Sequence, residues 1–533
     1  MSFLVTKSSL PVLVGPSEPT PAGILPLTST DKSRLCRPFT LLHVFDRPIH
    51  EPAETVRHAL SRALVHYHPI AGRLSVGTGA CDADIHIACT GEGVAFVAAT
   101  ANCTLEDARF LHAPLAIPLA DLAVRTDTYT LYNSISNTWN HAVADAFGLA
   151  QFLQAVGELA RGLSPPSVVP VRADGSLPEI PQPLSTALAP RLAGRGHTDF
   201  AYTDVTIPWS FINRVKAELF QQGQLPCSTF EVVTAAMWQC RTRATTSGAA
   251  ANPGSPAPLV FPVNVRSRVG AKDGYYGNCI TSQLVTATRG AVADGDIVEV
   301  VKLVRRGKER IPDTLEGGPL PVVLDEELVG ALCGYGVLVL TSWGGIGLED
   351  MDLGGGRPAR VIPYMEMTVL PSSVMCPPCS RKEGNDGSGD GVNVIAFCVR
   401  EEHADGPIEL LRLNAQDHPS YPVHNFHPRP QSPVSPPPFV VSRSSASPYS
   451  FNEPSRDARS QANRLHLIHS RPSTSTIVPT TPQRMLWKVG GNRDEMSSAA
   501  TARPNLRCVT TSWIADNVLE EQGEEESTQG SII

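Results

Sequence analysis

Residues 139–161 of the chain read WNHAVADAFGLAQFLQAVGELAR. From residue 145 onward, apolar side chains recur at helical spacing, at Phe147, Phe152, Val156 and Leu159. Residues three and four positions apart lie on the same side of a helix, so this spacing predicts a helix with one buried face over 145–161. His141 and Asp145 stand four residues apart, at one helical turn if the helix begins there.

The pair His141 and Asp145 is a candidate catalytic site, because histidine has a pKa close to neutral and is well suited to act as a general base. With 15 histidines in the chain, however, about one His-x-x-x-Asp match is expected by chance. Taken alone, the match is better explained by a buried structural histidine. A Ser-His-Asp relay is disfavoured, because no GxSxG nucleophile motif accompanies the pair.

Two further helices are predicted outside this segment. Residues 54–67 carry a one-sided apolar pattern that ends before Pro69 and Gly72. A capping box at Ser228–Glu231 begins another helix. Short β-rich runs lie between them, at 94–98, 259–265, 337–341 and 392–399. Because helices and strands do not alternate regularly, the pattern favours an α+β fold over a doubly wound sheet.

Composition excludes several classes of protein. The net charge of −8 and the pI near 6.0 argue against nucleic-acid binding, which needs clustered Lys and Arg. No apolar run of membrane-spanning length and no secretory signal pattern is seen, so a soluble, monomeric, cytoplasmic protein is expected. The 12 cysteines are scattered, and Cys376 and Cys379 form the single CxxC pair. Free thiols and no metal site are therefore predicted.

Changes in composition suggest the domain boundaries. A Pro-, Ser- and Gly-rich stretch over 162–195 predicts a crossover, with an N-terminal domain at 1–180, a linker at 181–200 and a C-terminal domain at 201–415. After residue 415 the chain is rich in Pro, Ser and polar residues and ends in an acidic run. Residues 416–533 are therefore predicted to be a low-complexity, mostly disordered tail.

Several segments in order along the chain resemble the BAHD family of plant acyl-CoA-dependent acyltransferases, most of all its grass members. The segment NHAVADAFGLAQFLQAVGELARG is similar to the family's active-site segment. The other matching segments are ALSRALVHYHPIAGRL (59–74), STFEVVTAAMWQCRTRA (228–244), VNVRSRV (263–269), GYYGNCI (274–280) and LTSWGGIGLEDMDLGGGRPARVIP (340–363). The resemblance covers most of 1–402, and the ordered set is far more specific than any single motif.

The resemblance implies two chloramphenicol-acetyltransferase-like domains with a substrate channel between them. It implies that His141 is the general base, and that acyl-CoA is a co-substrate with no permanently bound cofactor. A hydroxycinnamoyl or benzoyl group would pass directly to an alcohol or amine. Asp145 would point away from substrate and pair with an arginine, Arg266 or, behind it, Arg268. Asp352, Gly354 and Gly356 would shape a loop.

The sequence departs from the family pattern at three places. Gly355 stands where the family's DFGWG motif has tryptophan, and Ala146 stands where the family has glycine. Alanine is tolerated there if its φ is negative and strained if φ is positive. Residues 126–140, TDTYTLYNSISNTWN, are shorter and more polar than the central strand that the family places before the histidine. Loss of that strand would loosen the site.

Two alternatives to a working acyltransferase therefore stand. A catalytically impaired or non-enzymatic member of the same fold would account for the altered strand and the altered loop. An interaction protein acting through the Pro-rich tail is the third hypothesis, and truncation near residue 415 distinguishes it from the others.

Overall fold

The strands form three sheets in a computed structural model that describes residues 3, 5–7, 11–34, 38–76, 85–112, 115–118, 134–193, 195–196, 198–245, 252–320, 322–364, 368–377, 391–404 and 509–515. The strands are β1 (Val5–Lys7), β2 (Val12–Val14), β3 (Ile24–Pro26), β4 (Pro38–Val44), β5 (Arg73–Val76), β6 (Ile85–Ala88), β7 (Val94–Ala101), β8 (Ser134–Asn140), β9 (Thr203–Pro208), β10 (Leu259–Asn264), β11 (Ile280–Val285), β12 (Leu338–Ser342), β13 (Arg360–Tyr364), β14 (Ser372–Met375), β15 (Gly391–Phe397) and β16 (Val509–Ala515).

The strands are arranged in two large sheets and one small sheet. The first has the order β1-β7-β16-β8-β4-β13, with β2 also paired to β7. The second has the order β11-β10-β12-β14-β15-β9, and the small one has the order β3-β6-β5. Strand β13 lies within the range predicted for the C-terminal domain, yet it pairs with β4 in the first sheet. One strand from the range predicted for the C-terminal domain therefore belongs to the sheet built by the N-terminal half.

Helices cover the two large sheets. Within the described residues they are α1 (Ser29–Lys32), α2 (Pro52–His66), α3 (Ala146–Ala160), α4 (Pro183–Leu192), α5 (Trp209–Gln221), α6 (Thr229–Ala244), α7 (Arg266–Val269), α8 (Arg289–Ala293), α9 (Ile297–Glu309), α10 (Ile311–Leu315) and α11 (Glu326–Leu332). The α+β prediction is confirmed, as are the three predicted helices, which correspond to α2, α3 and α6. Helix α4 lies inside the predicted crossover.

Apolar faces fix this arrangement. Helices α2 and α3 pack together through buried side chains such as Leu60, Leu64 and Phe152. Helices α5, α6 and α9 build a second core on the other large sheet, around Trp238. A third core includes Leu42 of β4 and Ile395 of β15, and so joins the two large sheets. The third core packs the two large sheets against each other. His141, after β8, and the segment after β10 therefore belong to the same compact unit.

A strand, β8, precedes His141 although its sequence is short and polar, so the structure does not lack the strand whose loss would loosen the site. Strand β8 pairs with β4 along its whole length, from Asn140 opposite Pro38 to Ser134 opposite Val44. It also pairs with β16, with Ser512 opposite Ser136. The apolar residues of β4 enter the core on both of its faces, as Leu41 and Leu42 do. Strand β8 can be polar in sequence because its main contribution is to satisfy the backbone hydrogen bonds of β4 and β16.

Strand β16 comes from the predicted tail, and sequence analysis missed it. It lies between β7 and β8, antiparallel to the first and parallel to the second. Contacts divide the chain into two units, Met1–His418 with Pro504–Ile533, and Pro419–Arg503. The rest of the predicted tail, 416–508 and 516–533, lies outside the described residues.

Candidate active site

His141 follows the last residue of β8 directly and begins a tight turn. The next three residues, Ala142 to Ala144, are inaccessible to solvent, whereas His141 itself keeps partial exposure. The Phe39 ring, on β4, lies with its centroid 5.1 Å from that of the imidazole. The sheet and the buried turn therefore fix the backbone of His141 while part of the residue remains accessible.

The imidazole has a polar side-chain partner. Its Nδ1 lies 2.9 Å from Oδ1 of Asn278, a residue with no solvent exposure. Burial lowers the pKa of His141 to about 4, and the positive charge of Arg34 acts in the same direction. At neutral pH the ring is therefore uncharged and able to accept a proton.

Asp145 caps the helix that follows. Its Oδ1 accepts the N–H of Gly148 at 3.0 Å, which satisfies one of the free donors at the start of α3. Its Oδ2 accepts the N–H of Cys279 at 2.9 Å. Asp145 is 1% exposed, and its carboxylate bonds run to the helix and to the C-terminal half of the chain, while the Nδ1 of His141 is engaged by Asn278.

Arg266 binds the same carboxylate with two parallel hydrogen bonds. Its Nη2 lies 2.8 Å from Asp145 Oδ1 and its Nη1 lies 2.9 Å from Oδ2. The guanidinium also donates to the carbonyls of Tyr275 and Gly277. This clamp joins the start of α3 to residues 264–279, and so holds Asn278 next to His141.

A second buried ion pair supports the turn, and sequence analysis did not identify it. Arg172 Nη2 lies 2.9 Å from Asp31 Oδ2, and the two side chains are 5% and 0% exposed. Arg172 Nε also donates to the carbonyl of Val143 at 3.1 Å. The capping box that Thr28 and Asp31 form at the start of α1 is a signal that could have drawn attention to Asp31.

Asp352, Gly354 and Gly356 form a tight loop. Asp352 Oδ1 accepts the N–H groups of Gly354 and Gly356, each at 2.9 Å. Both glycines have φ near +100°, at 97° and 107°, which favours glycine. The loop packs on Gly157, where an added Cβ would lie 2.8 Å from the Asp352 carbonyl oxygen. With a rise of 1.5 Å per residue, Gly157 lies about 18 Å along α3 from Asp145, so this loop supports the far end of the helix.

The two remaining departures from the family pattern have local explanations. Ala146 is the first residue of α3 and is absent from the positive-φ residues of the described chain, so it is accommodated without strain. Gly355 packs against Pro48, whose carbonyl oxygen would lie 2.8 Å from an added Cβ. The position has no room for a tryptophan unless residues 48–49 move.

The described residues give no sign of a metal centre or a membrane span. They contain no group of three His, Cys, Asp or Glu side chains that could hold a metal ion. Cys376 is buried and its Sγ lies 3.7 Å from the carbonyl oxygen of Val374, and Cys379 lies outside the described residues. No helix of this part of the chain is long and apolar enough to cross a bilayer.

Comparison with known proteins identifies the family. A family model described as "Transferase family" matches residues 4–118 and 133–396. Acyl transferase 15 of Oryza sativa subsp. japonica is 40% identical over 450 residues, covering 78% of this chain and 100% of the rice protein. Myricetin 3-O-glucosyl 1,2-rhamnoside 6'-O-caffeoyltransferase AT1 of Crocosmia x crocosmiiflora is 34% identical, covering 78% of this chain and 100% of that protein.

A solved structure shows the same fold. The crystal structure of vinorine synthase superposes with a TM-score of 0.51 at 20% sequence identity, covering 77% of this chain and 98% of that one. The family model, the sequence relatives and the fold agree. The chain belongs to the BAHD acyltransferases of the Transferase family.

Proposed function

We propose that the protein transfers an acyl group from acyl-CoA to a hydroxyl or amine acceptor, with His141 as general base. One observation carries the proposal: His141 Nδ1 is engaged by Asn278, while the residue keeps partial exposure at the end of β8. Nε2 is then the nitrogen available to a substrate. The pKa of about 4 keeps it unprotonated at neutral pH.

The reaction balances without an acyl-enzyme. Nε2 removes the proton of the acceptor O–H or N–H as the acceptor atom attacks the thioester carbonyl carbon. The tetrahedral intermediate then collapses and the C–S bond breaks. The CoA thiolate takes the proton from the imidazolium, which releases CoA-SH and the ester or amide. Transfer of this proton is downhill, because a thiol is a much weaker acid than the imidazolium of a buried histidine.

Asp145 and Arg266 act as positioning residues in this proposal, and Asp352, Gly354 and Gly356 as loop-forming residues. The donor is proposed to carry an aromatic acyl group such as a hydroxycinnamoyl or benzoyl group, and the caffeoyltransferase among the relatives supports the first of these. The protein would act as a cytoplasmic monomer on small-molecule substrates, without a permanently bound cofactor, a nucleic acid or a membrane.

Free CoA released from a panel of acyl-CoAs and acceptors tests the proposal. His141→Ala is expected to lower kcat by about 10²- to 10⁴-fold, the usual contribution of a general base. His58→Ala is the matched control, because His58 is an exposed histidine on α2 whose side chain is 70% accessible. An unchanged kcat in His141→Ala would overturn the role of His141.

The alternative is a catalytically impaired member of the same fold. The observation that favours it is Gly355, which stands where the family has tryptophan. If the wild-type protein gives no turnover with any donor and acceptor, while its circular dichroism shows folded protein, the alternative is supported.

A further inference from the structure

We propose that Asp31, held by Arg172, is a positioning residue that sets the tautomer of His141 through the side-chain amide of Asn278. The proposal rests on His141 being the base. It assigns to two buried residues outside the HxxxD segment a role in deciding which imidazole nitrogen carries the proton.

Both oxygens of Asp31 accept hydrogen bonds, and each of their four partners among the described residues is a donor. Oδ1 receives the backbone N–H of Asn278 at 3.2 Å and its Nδ2 at 2.8 Å. Oδ2 receives Arg172 Nη2 at 2.9 Å and the backbone N–H of Thr28 at 3.0 Å. All four partners are donors, so this site requires an oxygen at both positions of the Asp31 side chain.

This requirement fixes the orientation of the Asn278 amide. A carboxylate accepts and does not donate, so the NH₂ group of Asn278 must face Asp31. The same Nδ2 donates to the carbonyl of His141 at 2.7 Å, which favours the same orientation. Rotating the amide by 180° would place two oxygens together at both contacts and leave buried donors unsatisfied.

The amide orientation in turn fixes the imidazole. With Nδ2 facing Asp31, Oδ1 of Asn278 faces His141 Nδ1, 2.9 Å away. An amide oxygen only accepts, so Nδ1 must carry the hydrogen and Nε2 must carry the lone pair. The opposite tautomer would present N–H to the acceptor and could not remove its proton.

Arg172 keeps the carboxylate in place. The guanidinium is buried, and the Asp31 charge raises the pKa of Arg172 although burial acts in the opposite direction. Arg172 also donates to the carbonyl of Val143, two residues after the base. The orientation of Asp31 and the path of the turn are thus coupled through one side chain.

The test combines kinetics with ¹⁵N NMR of histidine-labelled protein. Asp31→Asn keeps the shape of the side chain but places an NH₂ group where one of its oxygens stood, which permits the amide of Asn278 to rotate. We expect kcat to fall by about 10- to 100-fold, as is typical when the partner that orients a metal-bound histidine is removed, with KM for acyl-CoA unchanged. We also expect the Nε2 signal of His141 to gain protonated character.

Asp325→Asn is the matched control, because Asp325 likewise caps a helix by accepting the N–H of Leu328, at a distance from the site in the sequence. It should leave kcat and the His141 signals unchanged. If Asp31→Asn does not fold, Asn278→Ala keeps the Asp31–Arg172 pair and should produce the same mixed tautomer.

A His141 spectrum in the folded variant identical to that of the wild type overturns the proposal, even if activity falls. Because the tautomer is measured without turnover, an inactive wild-type protein would reject the proposed function and still leave the tautomer test decisive.

Discussion

At the scale of single residues, the pKa of His141 has a measurable consequence. Burial lowers it from 6.5 to about 4, so the base remains unprotonated well into the acidic range. We expect kcat/KM to decrease at acidic pH with a midpoint near pH 4 rather than near pH 6.5. CoA release measured over pH 3.5–8 checks this. A midpoint between 6 and 7 would contradict the arrangement.

Folding stability must be followed in the same experiment. The unfolded chain binds a proton at His141 near pH 6.5, whereas the folded protein does so near pH 4. Stability therefore falls as the pH decreases from 6.5 to 4. Buried His43, whose pKa is also lowered to about 4, acts in the same direction. Circular dichroism at each pH separates loss of fold from protonation of the base.

The ion pair of Asp145 and Arg266 is expected to determine stability more than chemistry. Asp145→Ala removes a helix cap and leaves Arg266, whose side chain is only 17% exposed, without its carboxylate. We therefore expect a loss of about 3–5 kcal/mol in the free energy of unfolding. Urea denaturation measures it. The exposed pair Arg191–Glu326, with side chains 55% and 82% accessible, provides the control, and Glu326→Ala should change little.

The residues that sequence alone could not supply are those whose partners lie far along the chain. His141, Asp145 and Arg266 were found because a motif or a familiar order marked them. Asp31 contacts Asn278, which lies 247 residues later in the sequence. No local sequence pattern predicts such a contact, although the capping box of Thr28 and Asp31 indicated that Asp31 lies at the start of a helix.

At the scale of elements, β16 is expected to be necessary for the site. It separates β7 from β8, and β8 ends next to His141. A chain truncated after residue 504 leaves β7 and β8 each without a backbone partner on one side, which costs a row of hydrogen bonds in a central position. We expect a lower melting temperature and loss of activity in this variant.

A chain truncated after residue 518 is the control, because it retains β16 and should behave like the full-length protein. Adding a peptide of residues 505–518 to the shorter chain should restore part of the stability. Equal melting temperatures and activities of the two truncated proteins would show that β16 is dispensable.

The sequence also explains why β16 escaped notice. The run VTTSWIA at 509–515 contains Val, Thr, Trp and Ile, which favour strands. It stands alone in a polar region, however, and neither of its neighbours in the sheet is near it in sequence. The disordered tail was predicted from the average composition of residues 416–533. A single seven-residue strand changes that average too little to be noticed. Strand β8 was underestimated for a related reason, since its support comes from β4.

At the scale of the whole molecule, the two predicted domains are not independent. Strand β13, from the C-terminal half, completes one edge of the first sheet beside β4. The Asp145–Arg266 clamp and the Asp31–Asn278 bonds tie the halves together at the histidine. The segments that resemble the family lie in both halves. Their order along the chain predicted the family and the pairing of Asp145 with Arg266, but it did not reveal the place of β13 or the Asp31–Asn278 bonds.

Strand β16 also bears on how the protein is made. Its pairing of Ser512 with Ser136 and Val97 requires a segment synthesised several hundred residues after β7 and β8 to enter the sheet between them. Until β16 is synthesised, the edges of β7 and β8 that face it have no hydrogen-bonding partner. The nascent chain is therefore exposed to misassembly and chaperone binding. The first sheet can reach its final form only after residue 515 has left the ribosome.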